Sequence, residues 1–333
     1  MTLRTITLED AEKLVVAALT RARTAEAAAC SVARALVGAE AIGQGGHGLR
    51  RVVAYAAQSA EGKVDGFAIP AAAVSAPGVL SIDAGSGFAY PALDLALERL
   101  PELVASQGLA LAAIRRSHHC GAMGLFVERL AESGLVALMF SNAPAAIAPW
   151  GGRTPLFGTN AIAFAAPVEG EAPIVVDLSL SKAARGKVMA AAQKGEPIPE
   201  GWAFDRDGQP TTDAAAALTG TMAPIAEAKG TALALMVEML AGGLVGANFS
   251  YEATTFFDAE GPPPGVGQLI IGIDPAKVGG PNVLTRFAEL AMRIEDDGAR
   301  LPGRRRQALR RKAEADGIVV DEELIAEIET IGE

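Results

Sequence analysis

The chain contains three histidines, His47, His118 and His119, and each lies beside glycine or after an apolar run. Histidine is the side chain whose ordinary pKa lies nearest neutrality, which suits proton transfer to or from a carbonyl oxygen. His47 is followed by Arg50 and Arg51, and an arginine one helical turn from a histidine can hold a carboxylate through two hydrogen bonds. A histidine at a helix start beside two solvated arginines is the alternative, and both interpretations stay open.

A second group of candidate residues follows the apolar run 109–114, which we predict to be a buried strand. Residues 117–124 are Ser-His-His-Cys-Gly-Ala-Met-Gly. Ligands of open α/β sheets bind beyond the carboxyl ends of strands, and the N–H groups of a following helix can bind an anion such as a pyrophosphate. We favour this functional interpretation over a plain strand-to-helix turn. A metal site is disfavoured, because adjacent histidines diverge and no third ligand has zinc-like spacing.

Other motifs argue against two common enzyme classes. Residues 85–90, Gly-Ser-Gly-Phe-Ala-Tyr, lack the third glycine of the dinucleotide fingerprint, and no acid follows at the right distance, so no Rossmann domain is predicted. A Ser/His/Asp hydrolase is disfavoured because the chain has no Gly-x-Ser-x-Gly elbow. Residues 177–182 end a predicted strand with an acid and hydroxyls. They could hold ribose hydroxyls or a nicotinamide amide, cap the next helix, or do both.

The elements that must position these residues indicate an α/β fold with helical chain ends. Short apolar strands alternate with helices through the middle of the chain. The predicted strands cover 79–83, 109–114, 135–140, 161–166, 174–178 and 268–273, and the helices between them 91–107, 122–133, 182–193 and 229–244. Helical periodicity fills residues 1–60 and segments 283–298, 303–316 and 321–331. We therefore predict a helical domain from 1–75 plus 283–333 and an α/β domain from 76–282.

Composition excludes several classes of protein. The 333 residues are 50% hydrophobic and carry a net charge of −10, which allows a sizeable core and disfavours nucleic-acid partners. The basic run 304–312 is expected to be mostly a solvated helix face. Cys30 and Cys120 suggest neither a disulfide framework nor a zinc site. No signal peptide or membrane span is evident, so we expect a cytoplasmic protein.

Six segments, in order along the chain, resemble the malate/L-lactate dehydrogenase family of the non-Rossmann type. They are 46–51, 117–121, 155–164, 174–179, 228–230 and 301–305. This family includes ureidoglycolate dehydrogenases, (2R)-3-sulfolactate dehydrogenases, 2,3-diketogulonate reductases and Δ1-piperideine-2-carboxylate/Δ1-pyrroline-2-carboxylate reductases. The resemblance implies a mixed-sheet domain that binds NAD or NADP, a homodimer, and a small carboxylic acid as substrate.

The resemblance also implies roles for individual positions. His47 matches the family's proton donor and acceptor, Arg51 matches the arginine that holds the substrate carboxylate, and His119 is implied to act near substrate and cofactor. In the reductive direction, hydride would reach C2 while His47 donates a proton to oxygen. No metal is implied. The positions that match cofactor contacts are His118, His119, Cys120, Gly121, Ala122, Met123, Gly124, Ser141, Asn142, Thr159, Asn160, Asp177, Leu178, Ser179, Lys229, Gly230, Pro302, Gly303, Arg304 and Arg305.

Two positions depart from the family pattern. Gly46 stands where the family usually has serine, and Lys187 stands where the cyclic-imine reductases have the aspartate of a Ser-His-Asp relay. The absence of both partners favours a 2-hydroxy acid, of the (R)-3-sulfolactate, malate or lactate type, over a cyclic ketimine. Residues 145–150 and 246–264 look most like members named sulfolactate dehydrogenase. An inactive NAD(P)-binding homologue is a further alternative. The choice between NAD and NADP stays open, because arginines 304–306 could pair with a 2′-phosphate or be solvated.

Overall fold

The computed structural model describes residues 2–332, which form helices and strands in alternation. The strands are β1 Leu3–Ile6, β2 Ala71–Ala76, β3 Val79–Asp83, β4 Leu109–Ser117, β5 Val136–Ser141, β6 Ala161–Val168, β7 Glu171–Leu178, β8 Ala203–Phe204, β9 Pro210–Thr211, β10 Thr221–Met222, β11 Val266–Ile273 and β12 Ile318–Asp321. The helices are α1 Leu8–Arg21, α2 Glu26–Ala41, α3 Val52–Ala60, α4 Ala89–Gln107, α5 Gly124–Glu132, α6 Arg185–Lys194, α7 Ala214–Thr219, α8 Ala228–Val237, α9 Pro275–Gly279, α10 Val283–Asp296, α11 Arg304–Asp316 and α12 Glu322–Glu329. Two 3-10 turns, Gly45–His47 and Leu49–Arg51, precede α3, and a π-helical segment, Glu238–Gly243, follows α8.

A seven-stranded mixed sheet forms the centre of the molecule. Its strand order is β2-β3-β4-β11-β5-β6-β7, with β3 parallel to β4 and the other neighbours antiparallel. Successive side chains of a strand point to opposite faces. In β4, Ala112 and Ile114 therefore pack into the core shared with α1 to α5, whereas Leu111 and Ala113 pack against α8 and the π-helical segment. The predicted mixed-sheet α/β fold without a Rossmann domain is confirmed.

The two ends of the chain meet in a small antiparallel sheet. β1 pairs with β12, so that Leu3 lies opposite Asp321 and Ile6 opposite Ile318. Ile325 and Ile328 of α12 join the same core as α1 and α2. α10 lies apart from this contact and packs on the end of β6, where Ala291 meets Val168. The division into domains at residues 75 and 283 stays a prediction.

Several short elements differ from the sequence prediction. Residues 3–6 form a strand rather than helix, and residues 318–321 form a strand where none was predicted; each strand has four residues, which is too few to show a period of two. β2 is exposed along its whole length at the edge of the sheet, so it has no buried face to mark it. A three-stranded sheet, β10-β8-β9, was not predicted because each strand has only two residues. The predicted helix 229–244 changes to π geometry after Val237.

Candidate active site

One pocket opens at the sheet edge where β4, β5 and β7 end and β6 begins. The loops that leave this edge line it, together with the loop after α2 and part of the segment before β11. The lining residues are Gln44, His47, His119, Cys120, Gly121, Met123, Ser141, Asn142, Ala143, Thr159, Ala161, Asp177, Leu178, Ser179 and Phe256. The structure thus brings His47 together with ten of the twenty cofactor positions identified in the sequence.

Glu40, near the end of α2, supports the loop that carries His47. The Glu40 carboxylate accepts a 3.0 Å hydrogen bond from the backbone N–H of Leu49. Gly48 passes so close to it that a Cβ there would lie 2.1 Å from Glu40 Oε2. Burial raises the pKa of Glu40, against the opposing effects of the Leu49 hydrogen bond and the Arg50 charge. A glycine at 48 is therefore required for this carboxylate to reach the loop.

His47 and His119 form a stacked pair at the pocket. Their ring centroids are 5.2 Å apart and the ring planes differ by 27°. Burial, and then the positive charge of Arg51, lower the pKa of His47 to about 4, and they hold the pKa of His119 well below its usual value. Among residues 2–332, His47 Nδ1 has no hydrogen-bond partner. Both rings are therefore neutral at pH 7, and His47 can accept a proton from a ligand.

Tyr55 of α3 orients the ring of His119. The Tyr55 hydroxyl lies 2.6 Å from His119 Nδ1 and 3.1 Å from the Tyr90 hydroxyl. Burial raises the pKa of both tyrosines, so both remain protonated. The arrangement that satisfies all three groups has Tyr90 donate to Tyr55, and Tyr55 donate to Nδ1. His119 then carries its proton on Nε2, where it is free to donate to a ligand.

Arg51 lies beside the lining of the pocket rather than in it. Its Nε donates to the carbonyl of Gly46 at 2.8 Å, and its guanidinium lies 4.7 Å from the ring centroid of Phe257. Within residues 2–332, no carboxylate forms an ion pair with Arg51. An oriented guanidinium without an anionic partner is suited to bind a substrate carboxylate.

The side chain of His118 lies behind the pocket. It is 1% exposed and meets Tyr55, Phe88 and Phe256 edge-on at centroid distances of 5.2, 5.9 and 5.2 Å. Burial is the main cause that lowers its pKa to about 3, and neither ring nitrogen has a partner in the described part of the chain. Its backbone carbonyl accepts a hydrogen bond from the side chain of Gln268 at 3.2 Å. The His118 ring is therefore part of a buried aromatic cluster in this structure.

Asp177 joins the start of α5 to the C-terminal part of the chain. Its Oδ2 accepts hydrogen bonds from the backbone N–H of Gly124 at 3.0 Å and from Arg306 at 3.1 Å. Arg306 also donates to the carbonyl of Asp177 at 3.0 Å. A Cβ on residue 124 would lie 2.6 Å from the Arg306 guanidinium, so this junction requires glycine. The sequence indicates Arg306 only as one of three arginines that could pair with a 2′-phosphate or be solvated, and it does not predict this ion pair with Asp177.

Several predicted cofactor positions lie outside the pocket lining. Gly303 packs against Val175, Arg304 pairs with Glu171 and Glu295, and Pro302 and Arg305 are exposed. Lys229 is exposed at the start of α8, and Gly230 packs on the carbonyl of Ile225. Ala122 is buried against α2, and the backbone of Gly124 is used by Asp177. The cofactor roles of all these positions stay predictions.

A buried carboxylate fixes the two asparagines at the back of the pocket. Glu238 of the π-helical segment is 4% exposed and accepts hydrogen bonds from Asn142 at 3.2 Å and Asn160 at 2.8 Å. The backbone N–H and hydroxyl of Ser250 donate to the same carboxylate at 2.6 and 2.5 Å. Asn160 therefore has a supporting role here, while Asn142 also lines the pocket.

Sequence reasoning missed four lining residues and the supporting residues Glu40, Tyr55 and Glu238. Gln44 belongs to the glycine-rich break before His47, so its position offered a signal. Phe256 and Tyr55 offered none, because they meet His119 from positions 137 residues later and 64 residues earlier in the chain. Ala143, Ala161 and Glu40 are likewise recognised only from their contacts.

The structure also locates features that bear on other ligands. Lys187, at the position of the missing relay aspartate, is exposed on α6, with its Nζ 5.9 Å from the ring centroid of Trp202. It is absent from the pocket lining. Across residues 2–332, no cluster of three His, Cys, Asp or Glu side chains could hold a metal ion. No helix in that range has the length and apolar character needed to cross a membrane.

A comparison with known families decides the assignment. The family profile described as malate/L-lactate dehydrogenase matches residues 6–329, nearly the whole chain. The chain belongs to the malate/L-lactate dehydrogenase family. This confirms the resemblance inferred from the six segments and the prediction of an oxidoreductase.

Individual members of the malate/L-lactate dehydrogenase family resemble this chain along almost their full length. The (2R)-3-sulfolactate dehydrogenase (NADP(+)) of Chromohalobacter salexigens is 50% identical over 324 residues, which cover 96% of this chain and 97% of that protein. A Δ1-pyrroline-2-carboxylate/Δ1-piperideine-2-carboxylate reductase of Pseudomonas putida is 42% identical over 94% of this chain and 93% of its own. The crystal structure of Δ1-piperideine-2-carboxylate reductase from Pseudomonas syringae pvar. tomato superposes with a TM-score of 0.93 at 39% identity, covering 98% and 99% of the two chains.

Proposed function

We propose that this protein is an NADP(H)-dependent oxidoreductase that interconverts a small 2-hydroxy acid and its 2-oxo acid, with (2R)-3-sulfolactate and 3-sulfopyruvate as the preferred pair. The observation that carries the proposal is the neutral, stacked pair His47 and His119 next to the unpaired guanidinium of Arg51. The preference for sulfolactate and NADP is supported by the 50% identical relative, which is named for that substrate and that cofactor.

The pocket suits a nicotinamide dinucleotide. Leu178 lies in the pocket lining and is 40% exposed, so it offers an apolar surface to a planar ring. The hydroxyls of Thr159 and Ser179 are suitable partners for ribose hydroxyls and a carboxamide. These residues, with 119–123, would hold the cofactor. When bound, NADPH supplies the hydride that reduces the C2 carbon of the substrate.

In our proposal, His47 transfers the proton and Arg51 holds the carboxylate. In oxidation, the neutral His47 imidazole accepts the proton of the substrate hydroxyl, and in reduction its protonated form returns that proton to oxygen. Pairing of the substrate carboxylate with Arg51 neutralises a charge that lowers the pKa of His47. Substrate binding therefore favours the protonated His47 that reduction requires. His119 donates from Nε2 to the substrate, and Phe256 packs against the His119 ring.

Reduction of a cyclic ketimine is the second candidate, because relatives with that name are 42% identical in sequence and 39% identical in the superposed structure. The serine and aspartate relay partners of those enzymes are replaced here by Gly46 and Lys187. The exposed position of Lys187 offers His47 no substitute in this chain. We therefore rank the 2-oxo acid above the imine.

Steady-state assays with a panel of substrates test the proposal. 3-Sulfopyruvate, oxaloacetate, pyruvate and Δ1-piperideine-2-carboxylate are offered with NADPH and with NADH, and the loss of cofactor absorbance is followed. We expect the highest kcat/KM for 3-sulfopyruvate with NADPH. His47→Asn should lower kcat by roughly 10²- to 10⁴-fold while NADPH still binds. Turnover of the imine alone would overturn the acid assignment, and NADPH binding without any turnover would favour an inactive homologue.

We also propose that the protein is a homodimer in the cytoplasm. Five large apolar side chains of α8 and the segment after it are at least a third exposed: Leu233, Leu235, Met236, Met239 and Leu244. Extended exposed apolar patches on a folded protein commonly mark an interface. A second copy of this chain is the partner that the family resemblance implies.

A further inference from the structure

Residues 249–265 form a long irregular segment over one side of the pocket, which we call the covering loop. The N–H of Asn248 donates to the carbonyl of Gly265 at 2.9 Å, so the ends of the loop meet. All residues of the covering loop are described, and they form no helix or strand. Loops of this length without secondary structure are uncommon in compact domains and usually functional. The contacts that hold this loop therefore determine where its side chains lie at the pocket.

Two adjacent aromatic residues of the covering loop contact the reactive groups. Phe256 lies 5.0 Å from His119 and 5.2 Å from His118, measured between ring centroids. Phe257 lies under the guanidinium of Arg51 at 4.7 Å, a cation–π contact that orients the guanidinium plane. The position of Phe256 therefore determines how His118 and His119 are covered, and the position of Phe257 determines the orientation of the Arg51 guanidinium.

The next residue, Asp258, is tied to the helical layer by α3 and the turn after it. The ammonium of Lys63 donates to Asp258 Oδ1 at 2.8 Å and to its backbone carbonyl at 3.1 Å. Gln58 of α3 donates to the same carbonyl at 2.9 Å. The side chain of Lys63 is fully buried, whereas that of Asp258 is 54% exposed. The buried partner therefore belongs to the scaffold and the exposed partner to the loop.

The burial of Lys63 carries a free-energy cost that an apolar residue would avoid. Removing an ammonium from water is unfavourable and is offset only when good hydrogen bonds replace those to water. Here, two of those bonds go to one residue of the covering loop. The base of the loop is held separately, because Ser250 donates to the buried Glu238. The loop is thus fixed at its base by Glu238 and near its aromatic residues by Lys63.

We propose that Lys63 is a positioning residue for substrate binding: by holding Asp258, it places Phe257 against Arg51 and Phe256 against His119. This inference rests on the proposed function, in which Arg51 receives a carboxylate. Loss of the Lys63–Asp258 contact frees the loop next to Phe256 and Phe257. The bound acid then loses an oriented Arg51, whereas the residues that would contact the cofactor are unchanged. The expected signature is weaker binding of the acid at nearly unchanged affinity for the cofactor.

The test compares Lys63→Met with wild type and with Lys13→Met, which removes an exposed lysine from a surface ion pair with Glu9. We expect Lys63→Met to raise KM for 3-sulfopyruvate roughly ten-fold or more, with the Kd of NADPH within about two-fold of wild type. Hydrogen exchange over residues 252–260 of the NADPH-bound protein should become faster. Lys13→Met should change none of these quantities.

Unchanged KM and unchanged exchange in Lys63→Met would overturn the proposal. So would a parallel loss of acid and NADPH binding that follows the fall in Tm, since that pattern indicates a merely structural lysine. If Lys63→Met does not fold, Asp258→Ala decides, because its side chain is exposed: faster loop exchange and a higher KM are expected, and wild-type values overturn the proposal. Hydrogen exchange is measured without an acid substrate. It therefore tests the Lys63–Asp258 contact even if the wild type reduces none of the 2-oxo acids and the proposed function fails.

Discussion

At the scale of single residues, the environment of His47 determines when it can accept a proton. Burial is the largest cause that lowers its pKa to about 4, and the Arg51 charge is the second. We expect the imidazole to titrate near pH 4 in the free protein. His47 should therefore remain a neutral base for hydroxy-acid oxidation at pH values well below 6.5. NMR titration can measure this directly, because the chain has only three histidines.

The matched variants Arg51→Met and Arg50→Met separate charge from burial in that titration. Arg51→Met should move the pKa of His47 upward, whereas Arg50→Met should leave it unchanged, because Arg50 is exposed and does not affect His47. A wild-type pKa near 6.5, or equal shifts in both variants, would contradict the described environment.

The hydroxyl of Tyr55 supports a second residue-scale prediction. Tyr55→Phe removes the partner of both His119 Nδ1 and the Tyr90 hydroxyl, which are buried. Such unsatisfied groups cost about 1–3 kcal/mol in the free energy of unfolding, and kcat should fall as His119 loses its orientation. Urea unfolding and steady-state kinetics measure the two effects. The control is Tyr251→Phe on an exposed ring, expected to change stability by less than about 0.5 kcal/mol. Equal stability of the two variants would count against the hydrogen-bond chain.

At the scale of elements, the loop after α2 offers a matched pair of glycines on either side of His47. A Cβ on residue 48 would collide with the Glu40 carboxylate, whereas a Cβ on residue 46 would meet nothing within 4 Å. We expect Gly48→Ala to lower the free energy of unfolding by about 1–3 kcal/mol and to reduce kcat, because the loop must move. Gly46→Ala should keep wild-type stability. Thermal unfolding and kinetics of both variants check this, and a destabilised Gly46→Ala with an unaffected Gly48→Ala would refute it.

At the scale of the whole molecule, buried neutral histidines make the fold sensitive to acid. Unfolded histidines bind protons near pH 6.5, whereas folded His47 does so near pH 4 and His118 near pH 3. The unfolded state therefore binds more protons in this window, and the free energy of unfolding falls as pH falls. His118→Phe removes one such group from an aromatic surrounding and should make the fall shallower. Urea unfolding at pH 7 and pH 5 measures it, and an equal or steeper fall in the variant would contradict the prediction.

The assembly is a second prediction for the whole molecule. Met239→Glu and Leu244→Glu place charges on the exposed apolar face after α8, where the two side chains are 63% and 66% exposed. If this face joins two copies, each variant should shift sedimentation from dimer to monomer, because a buried unpaired charge is costly. Val278→Glu, on another exposed apolar residue, is the control. A wild-type protein that sediments as a monomer would contradict the proposed homodimer.

The sequence by itself determined the fold class and most of the segments that line the pocket. Apolar strands alternating with helices specify a buried sheet. Their hydrophobic periodicity can be read from a short stretch of sequence, and apolar residues in such a pattern must be buried in the core. The neighbours in sequence, such as His47 with Arg51 and the run 117–124, were likewise visible, since a few residues of spacing fix their separation. Four-residue β1 and β12 were not, because their pairing joins opposite ends of the chain.

Only the tertiary structure decided which of these residues contact one another and how they titrate. Tyr55 and Phe256 reach His119 from distant parts of the chain, and Lys63 holds Asp258 from 195 residues away. The same fold separated two adjacent histidines, with His119 in the pocket and His118 in an aromatic core. Long-range packing sets burial and distance between charges, and these two quantities control pKa values and side-chain orientation. No local pattern encodes them.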